Sequence, residues 1–339
     1  MASVGAPWPA VVGVSGGSDS LALMFLLRDW AKVRGLPPPA VVCVDHGIRP
    51  ESRGEARQVA RWGKEAGLVV SVLRNTDAKP RADVEAACRD IRYTLVGDWA
   101  AKRKTGAVYV AHTRDDQAET FLLRLARGSG VDGLAAMRTV SPYPLRGYAE
   151  LALIRPLLGF DRQELRRYLE ANGQRWIEDP MNADFRFMRA RIRAAWPQLE
   201  ELGLTRARLA EAAGHLGRAR SALDAVSHAI LVRAFRPWRD GVAVDPHALS
   251  GAPRELALRV LAGMLMLVGR HSYRPRFDRL EALLEAVAGG TVGRGRTLHG
   301  CRIAPAARKS SLFGAGTLLI LPEKPSQTGG IRGQAPTAS

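Results

Sequence analysis

Short apolar runs alternate with longer amphipathic segments over the first two hundred residues of the chain. The apolar runs have the length of buried strands, and the segments between them are long enough for several helical turns. The predicted strands are 10–14, 40–44, 68–73 and 107–111. The predicted helices are 18–30, 51–66, 84–101 and a segment that ends near residue 127. This alternation predicts an α/β fold in which a parallel sheet carries helices on both faces.

The pattern changes in the second half of the chain. A helix is predicted after Asp161, with Glu164 at the capping-box position. Residues 205–288 carry Leu, Ala and Val at helical spacing, and 296–304 and 311–321 are typical of two strands of a small β unit. The tail is rich in Gly, Pro, Ser, Thr and Gln, which predicts disorder. We therefore expect domains at 1–200 and 201–322, the second mainly helical with a small β unit, and a disordered tail at 323–339.

The charge of the chain indicates a class of partner. Its 50 Lys and Arg residues exceed its 33 Asp and Glu residues, giving a net charge of +17. Such an excess predicts a polyanionic partner, and nucleic acid is favoured over a membrane surface because no basic amphipathic helix is evident. A generally basic proteome, or solubility alone, would produce the same charge.

The cysteine content and the hydropathy indicate the cellular compartment that the chain suits. The chain has 3 cysteines and no CxxC pair. They predict neither a disulfide framework nor a zinc or iron–sulfur site, and they suit a reducing cytoplasm. No apolar run is long enough to span a bilayer, so we expect no membrane association.

A turn of glycine and serine joins the first predicted strand to the first predicted helix. The N–H groups at a helix start and the helix dipole favour an anion there, and glycine lets a phosphate approach the backbone closely. The predicted phosphate loop consists of Ser15, Gly16, Gly17, Ser18, Asp19 and Ser20. An ordinary capped turn is the alternative. No Gly-Lys-Ser/Thr follows at the spacing of a P-loop.

Polar residues also follow the second and fourth predicted strands. They are Asp45, His46 and Arg49 after the second strand, and His112, Asp115 and Asp116 after the fourth. Open α/β sheets bind ligands at the carboxyl ends of their strands, so these residues predict a site at that edge. The alternative for the acids is helix capping, since acids are common at helix starts. A structural histidine is the alternative for His112.

Two further groups of charged residues stand out. Arg186, Arg189, Arg191 and Arg193 are interleaved with aromatic and apolar residues. They suit contact with a phosphate backbone, or equally the solvated face of a helix. Glu85, Arg89 and Arg92 share one face of the third predicted helix. An ion pair within the helix would explain Glu85 and Arg89 without any substrate.

Over residues 10–200 these motifs together resemble the tRNA(Ile)-lysidine synthetase family of PP-loop ATP pyrophosphatases. The resemblance is carried by the loop 15–20, the runs 45–49, 115–120, 127–134, 155–158 and 179–182, and the helix with Glu85, Arg89 and Arg92. The sequence departs from the family pattern at Thr113, where a second histidine is usual, and at Ala190, where asparagine is common. The roles that the family gives to those two side chains are therefore not carried over to Thr113 and Ala190.

The resemblance implies a Rossmann-like domain of the adenine nucleotide alpha hydrolase-like class and a two-step reaction. ATP with Mg²⁺ would adenylate the wobble cytidine of tRNA(Ile) with a CAU anticodon and release diphosphate, and free L-lysine would then displace AMP. The product is lysidine, which pairs with A instead of G. The C-terminal region resembles the tRNA-binding extension of the family only in outline. A homodimer is the candidate assembly.

The resemblance also assigns roles to residues. It implies catalytic roles for Asp45, Asp116, Arg89 and Arg92, pyrophosphate binding by Ser15, Gly16, Gly17, Ser18, Asp19 and Ser20, and Mg²⁺ binding by Asp19. It implies substrate contacts for His46, Arg49, Glu85, His112, Asp115, Arg189, Arg191 and Arg193. A carboxylate beside the lysine amine is chemically sensible, because the amine must lose a proton before it attacks.

Three other hypotheses compete with this interpretation. A tRNA thiolase of the PP-loop type would need cysteines to carry sulfur or a cluster, and no suitable pair exists. A synthetase of the amidotransferase type would bring a glutaminase domain, for which no Cys/His/Glu arrangement is visible. An inactive RNA-binding module that retains the nucleotide fold is the third, and the intact loop and Asp115-Asp116 argue against it.

Overall fold

The computed structural model describes residues 7–76, 84–145, 147–178, 184–186, 188–271, 273–307 and 311–323, without the side chains of residues 84 and 85. The chain forms two compact units, Met1–Arg218 and Ala219–Ser339. The domain limits expected at 200 and 322 stay a prediction. The run 179–182 and the tail beyond residue 323 lie outside the described residues.

A six-stranded sheet forms the centre of the first unit. Its strands are β1 (Ala10–Gly13), β2 (Ala40–Asp45), β3 (Val70–Arg74), β4 (Ala107–Tyr109), β5 (Val140–Pro142) and β6 (Ala152–Ile154). They lie in the order β3-β2-β1-β4-β6-β5. All neighbouring pairs are parallel except β5 with β6. The predicted parallel sheet is therefore confirmed, but β5 and β6 were not among the four predicted strands, and β5 is an antiparallel edge strand.

Helices cover both faces of this sheet. They are α1 (Ser18–Val33), α2 (Ser52–Glu65), α3 (Val84–Lys102), α4 (Arg114–Leu125), α5 (Val131–Leu134), α6 (Arg162–Ala171), α7 (Met188–Ala194) and α8 (Trp196–Glu201). Val12 packs on one face among side chains of α1, α2 and α6, and Val11 packs on the other face among side chains of α3. Neighbouring residues of a strand point to opposite faces, so burial of both makes each strand a continuous apolar run.

The second unit combines helices with an antiparallel sheet. Helix α9 (Arg206–Ala234) leads into it and is followed by α10 (Pro246–Ser250), α11 (Arg254–Val268) and α12 (Phe277–Ala288). The sheet contains β7 (Phe235–Trp238), β8 (Gly241–Val244), β9 (Arg296–Leu298), β10 (Cys301–Pro305) and β11 (Leu318–Pro322) in the order β7-β8-β11-β10-β9. A mainly helical region with a small β unit is thus confirmed.

Three details of that region differ from the prediction. The segment 311–321, expected to be one strand, is strand only from Leu318 onward, in β11. The segment 205–288, expected to be helical, contains the hairpin of β7 and β8, because Gly241 admits close contact with the carbonyl oxygen of Ile320. The segment 296–304, expected to be one strand, contains a turn at His299 and Gly300 that separates β9 from β10. Within the described residues no helix is long and apolar enough to cross a membrane.

Candidate active site

The site begins where the strand order of the first sheet reverses. Strand β1 lies between β2 and β4, so the chain leaves β1 toward one side and later returns on the other. The crevice at such a reversal is where open α/β sheets bind ligands. The segment after β1 leads to Asp19, and the segment after β4 leads to Asp116.

The predicted phosphate loop forms a compact turn at the start of α1. The Ser20 hydroxyl accepts a hydrogen bond from the Ser15 N–H at 3.2 Å and donates to the Gly17 carbonyl at 2.9 Å. Gly16 has φ of +95°, and a Cβ there would lie 2.8 Å from Ile177 Cδ1. No side chain caps the N-terminus of α1 at Gly17. The backbone therefore needs glycine at 16, and the N–H groups at the helix start have no side-chain acceptor at the cap.

A single arginine joins the two carboxylates of the crevice. Arg162 Nε donates to Asp19 Oδ2 at 2.9 Å, and Arg162 Nη2 lies 3.8 Å from Asp116 Oδ1. Burial raises the pKa of Asp19, and Asp116 raises it further, whereas Arg162 acts in the opposite direction. Burial alone would lower the pKa of Arg162, but the two carboxylates hold it above its ordinary value. The three groups form one electrostatic unit.

Asp116 is fixed by the N-terminus of α4. It forms a capping box with Thr113, whose N–H donates to Asp116 Oδ2 at 2.8 Å. Burial alone would raise the pKa of Asp116, but His112, Arg162, the Thr113 N–H and Arg189 together hold it below its ordinary value. Thr113, at the position where the sequence departs from the family pattern, thus has a structural function here. Asp116 is both a helix cap and an ionised group that faces the crevice.

His112 lies beside Asp116 as a neutral imidazole. Burial lowers its pKa to about 4, and Arg155, Arg89 and Arg189 act in the same direction, whereas Asp116 opposes them. Its Nδ1 is buried without a hydrogen-bond partner among the described residues. A buried nitrogen without a partner in a polar crevice suits contact with a substrate group.

The other two candidate aspartates, Asp115 and Asp45, are hydrogen-bonded to groups that belong to helix starts and turns. Asp115 Oδ2 accepts from the Arg162 N–H at 3.0 Å, and its Oδ1 lies 3.1 Å from Arg206 Nε. Asp45 Oδ1 accepts from the Ser52 hydroxyl at 2.7 Å and from the Gly47 N–H at 3.0 Å. Both oxygens of Asp115 are therefore engaged, whereas for Asp45 these bonds use only one oxygen.

The arginines of α7 face buried carboxylates. Arg193 Nε donates to Glu119 Oε1 at 2.6 Å. Arg189 Nη1 lies 3.6 Å from Glu119 Oε2 and 3.7 Å from Asp116 Oδ1. Arg191 is exposed. Arg189 and Arg193 thus belong to the crevice, and Arg191 does not.

Among the other predicted residues, His46 lies close enough to Arg92 and Asp45 for both to shift its pKa. Its pKa is lowered by burial and by Arg92, and Asp45 opposes the change. His46 Nδ1 is also buried without a partner among the described residues. Arg49 pairs with Glu55 at 3.0 Å. The side chain of Glu85 lies outside the described residues.

Sequence reasoning missed Arg162 and Glu119. Arg162 is the first residue of α6, directly after the predicted cap Asp161, but its partner Asp19 lies 143 positions away in the chain. Glu119 belongs to the run 115–120, and its place one helical turn after Asp116 puts the two carboxylates on one face of α4. That spacing was the available signal for Glu119.

Comparisons with known proteins agree with this geometry. Residues 8–199 match the model of a family described as a PP-loop domain. The tRNA(Ile)-lysidine synthase of Methylobacterium nodulans is 40% identical over 333 residues, which cover 96% of this chain and 93% of the relative. The enzyme of the same name from a Bradyrhizobium strain is 38% identical, with 86% of each chain covered.

A solved structure supports the fold independently. The U34-tRNA thiolase NcsA from Methanococcus maripaludis, determined with its [4Fe-4S] cluster, superposes with a TM-score of 0.50. The match covers 62% of this chain and 71% of that one, at 18% sequence identity. At this identity the likeness concerns the fold alone.

Proposed function

The chain belongs to the tRNA(Ile)-lysidine synthases of the PP-loop family, and from this premise we propose that it joins L-lysine to C2 of the wobble cytidine in the CAU anticodon of tRNA(Ile). The C2 oxygen attacks the α-phosphate of ATP, and diphosphate leaves. The ε-amine of lysine then attacks C2, and AMP leaves with the oxygen. The resulting lysidine changes decoding from AUG to AUA.

The observation that supports this proposal best is the meeting of the phosphate loop and two carboxylates at the topological switch. The loop 15–20 presents backbone N–H groups and hydroxyls that suit the leaving diphosphate. Asp116 is ionised and buried nearby, and it suits the ammonium group of lysine. Reactions of this kind depend mainly on positioning and charge stabilisation.

The other residues have supporting roles in the proposal. Asp45 is the second candidate carboxylate for lysine. Arg89 and Arg92 on α3 suit the reacting phosphate or the tRNA backbone, because a planar guanidinium binds such anions in a fork. The proposed substrate contacts are His46, Arg49, Glu85, His112, Asp115, Arg189, Arg191 and Arg193. Of these, Asp115 has both oxygens bonded within the protein, so positioning of Arg162 is its main contribution.

The residues present fit a Mg²⁺ ion that arrives with ATP. The described residues contain no cluster of three or more potential metal ligands. Mg²⁺ in nucleotide sites commonly takes one or two carboxylates together with phosphate oxygens and water. Asp19 would hold it, with Asp116 as its neighbour, and the bound ion would neutralise phosphate charge. In the structure described here, Arg162 supplies a positive charge between these two carboxylates.

The thiolase hypothesis does not fit the cysteines of this chain. Cys43 and Cys88 belong to the first unit and Cys301 to the second. Burial raises the pKa of Cys43 to about 12, so its thiol is a poor nucleophile. Among the described residues no group of three or more His, Cys, Asp or Glu side chains could hold a metal ion, so the cysteines form no cluster site there.

Product analysis tests the proposal directly. We expect AMP and diphosphate release from ATP and Mg²⁺ only when tRNA(Ile) is present, and transfer of radiolabelled lysine to that tRNA. Asp19→Asn and Asp116→Asn should each lower the rate by about 100-fold or more, since each removes a charge at the reacting groups. Asp29→Asn is the matched control on α1, where the carboxylate pairs with Arg28 and is half exposed.

The outcomes separate the competing functions. tRNA binding without diphosphate release in any mixture would leave only an inactive RNA-binding module. Diphosphate release without lysine transfer would keep the nucleotide chemistry and require another nucleophile. A homodimer and a cytoplasmic location also remain part of the proposal, and mass measurement in solution and cell fractionation test them.

A further inference from the structure

A basic groove lies between α2 and the edge strand β3. Its volume is about 410 Å³. Five cationic side chains line it, namely Arg53, Arg57, Arg61, Lys64 and Arg74, and Asp45 lies at one end. Asp45 and Arg74 are register neighbours at the ends of β2 and β3. The groove therefore opens at the same sheet edge as the candidate active site.

The cations of α2 form a row along one side of the helix, which turns by about 40° at each four-residue step. Arg53, Arg57 and Arg61 are spaced by four residues, so their side chains leave one face of the helix about 6 Å apart along its axis. Lys64 follows on nearly the same face. The floor between them is formed by Ala56 and Ala60, whose small side chains leave the groove open. Such a spacing resembles that of successive phosphates along a single nucleic-acid strand.

A single lining carboxylate, that of Asp45, shares the groove with these five cations. None of the five cations forms an ion pair in the part of the chain that the structure describes, and all five are exposed. Of the two glutamates of α2, Glu55 pairs with Arg49, and Glu65 is exposed at the end of the helix. Five like charges in one groove repel one another, and this cost is relieved when an anion binds.

We propose that the groove of α2 and β3 is a docking surface for the phosphate backbone of the RNA substrate, which it leads toward Asp45. The identity of that RNA as tRNA(Ile) rests on the proposed function. A line of separate charges fits an extended polyanion, whereas a small anion would need convergent donors. The location beside Asp45 distinguishes the groove from a merely solvated basic face.

The groove also differs from the arginine cluster expected to contact tRNA. Arg189 and Arg193 face Glu119, and Arg186 pairs with Asp184 at 2.6 Å. A paired arginine must give up its carboxylate before it binds a phosphate. An unpaired arginine only releases the counter-ions of the RNA, which favours binding.

Binding of an unmodified tRNA(Ile) transcript with a CAU anticodon tests the proposal without any catalytic step. The variant is Arg53→Gln/Arg57→Gln/Arg61→Gln in the full chain. We expect its Kd to rise at least about tenfold and the salt dependence of log Kd to become shallower by about 2, since each of the three lost phosphate contacts removes about 0.7 unit of slope for a single strand. In lysine transfer, KM for tRNA should rise while kcat at saturating tRNA stays within about twofold.

Two matched variants make the outcome decisive. Lys32→Gln/Lys102→Gln/Lys104→Gln removes the same charge at exposed positions where α1 and α3 end. These positions lie near the amino ends of β2 and β4, whereas the groove lies near the carboxyl ends of the strands. It should leave Kd within about twofold, and Arg53→Lys/Arg57→Lys/Arg61→Lys should retain most of the affinity. Thermal unfolding of all variants checks that they fold.

If the triple arginine-to-glutamine variant of the groove and the triple lysine-to-glutamine control lost the same affinity for tRNA, net charge alone would explain binding. That result would overturn the proposal. An unchanged Kd for tRNA in the triple arginine-to-glutamine variant of the groove would also overturn it. Failure of the proposed function is recognised separately. In that case the wild-type chain transfers no lysine to tRNA(Ile), yet the groove variant still loses affinity for RNA relative to its control.

Discussion

Helices α7 and α2 each carry three arginines, yet the carboxylates around these arginines differ. Arg189 and Arg193 of α7 face Glu119, which is 3% exposed. The arginines of α2 form no ion pair among the described residues, and they project into an open groove. Because the two helices carry the same number of arginines, a count of arginines does not distinguish a structural cation from one available to a substrate.

Because of this difference, removal of a charged side chain should change the stability of the protein more around α7 than around α2. Around α7, removal of one partner leaves a charge without compensation in a partly dry crevice, so stability suffers first. Around α2, removal of a cation leaves water in its place and relieves repulsion, so stability changes little. We therefore expect variants of the α7 cluster to alter unfolding, and variants of the α2 groove to alter RNA binding.

The largest expected effect on stability is that of Glu119→Gln, which breaks the pairing on the α7 side. We expect the free energy of unfolding to fall by about 2–3 kcal/mol, because Arg193 loses a short charged hydrogen bond to a buried carboxylate. Urea denaturation measures the change. Glu178→Gln is the control, since its pair with Arg166 at 2.8 Å has a carboxylate that is 67% exposed and should contribute under about 1 kcal/mol. Equal losses in the two variants would contradict the distinction.

Local signals in the sequence predicted the elements, and the topology followed from them. The capping box of Asp161 and Glu164 is present, with the Glu164 N–H donating to Asp161 Oδ1 at 2.7 Å. Strand β5 was missed because Val140 is exposed and the strand ends at Pro142, so no apolar run marks it. The hairpin of β7 and β8 was missed because its pairing with β11 joins distant parts of the chain.

The candidate site was predictable only where its chemistry is local. The loop 15–20 and the acids after β4 are contiguous motifs, and the rule about carboxyl ends of strands places them together. Arg162 was not predictable as a partner of Asp19, because the starts of α6 and α1 are far apart in the sequence and are brought together by the tertiary fold. The separation of paired from unpaired arginines has the same origin, since counter-ions come from other elements.

A smaller effect on the free energy of unfolding is expected from the titration of His112. Burial lowers the pKa of His112 to about 4, below the ordinary value of 6.5. Between these values the unfolded chain binds more protons than the folded chain, so stability is full above pH 6.5 and falls as the pH drops toward 4.

We therefore expect the wild-type chain to lose about 1–2 kcal/mol between pH 7 and pH 5 through this group. The His112→Asn variant should show a correspondingly flatter dependence in urea unfolding at the two pH values. The salt dependence of tRNA binding should be the same at both. A parallel pH dependence in variant and wild type would show that the imidazole is not held neutral by the crevice.

The smallest expected effect concerns the cap that holds Asp116 toward Arg189. Thr113→Val keeps the shape of the side chain but removes the hydroxyl that lies 3.0 Å from Asp116 Oδ2. The N–H bond of residue 113 remains, so we expect a loss of only about 0.5–1 kcal/mol in urea unfolding, with Thr113→Ser close to wild type. The same substitution should weaken lysine transfer more than tRNA binding, because Asp116 is proposed to contact lysine while the RNA is held by α2. Equal losses in transfer and tRNA binding would mean that α4 and the groove of α2 act as one surface, and the contrast between the two helices would then fail.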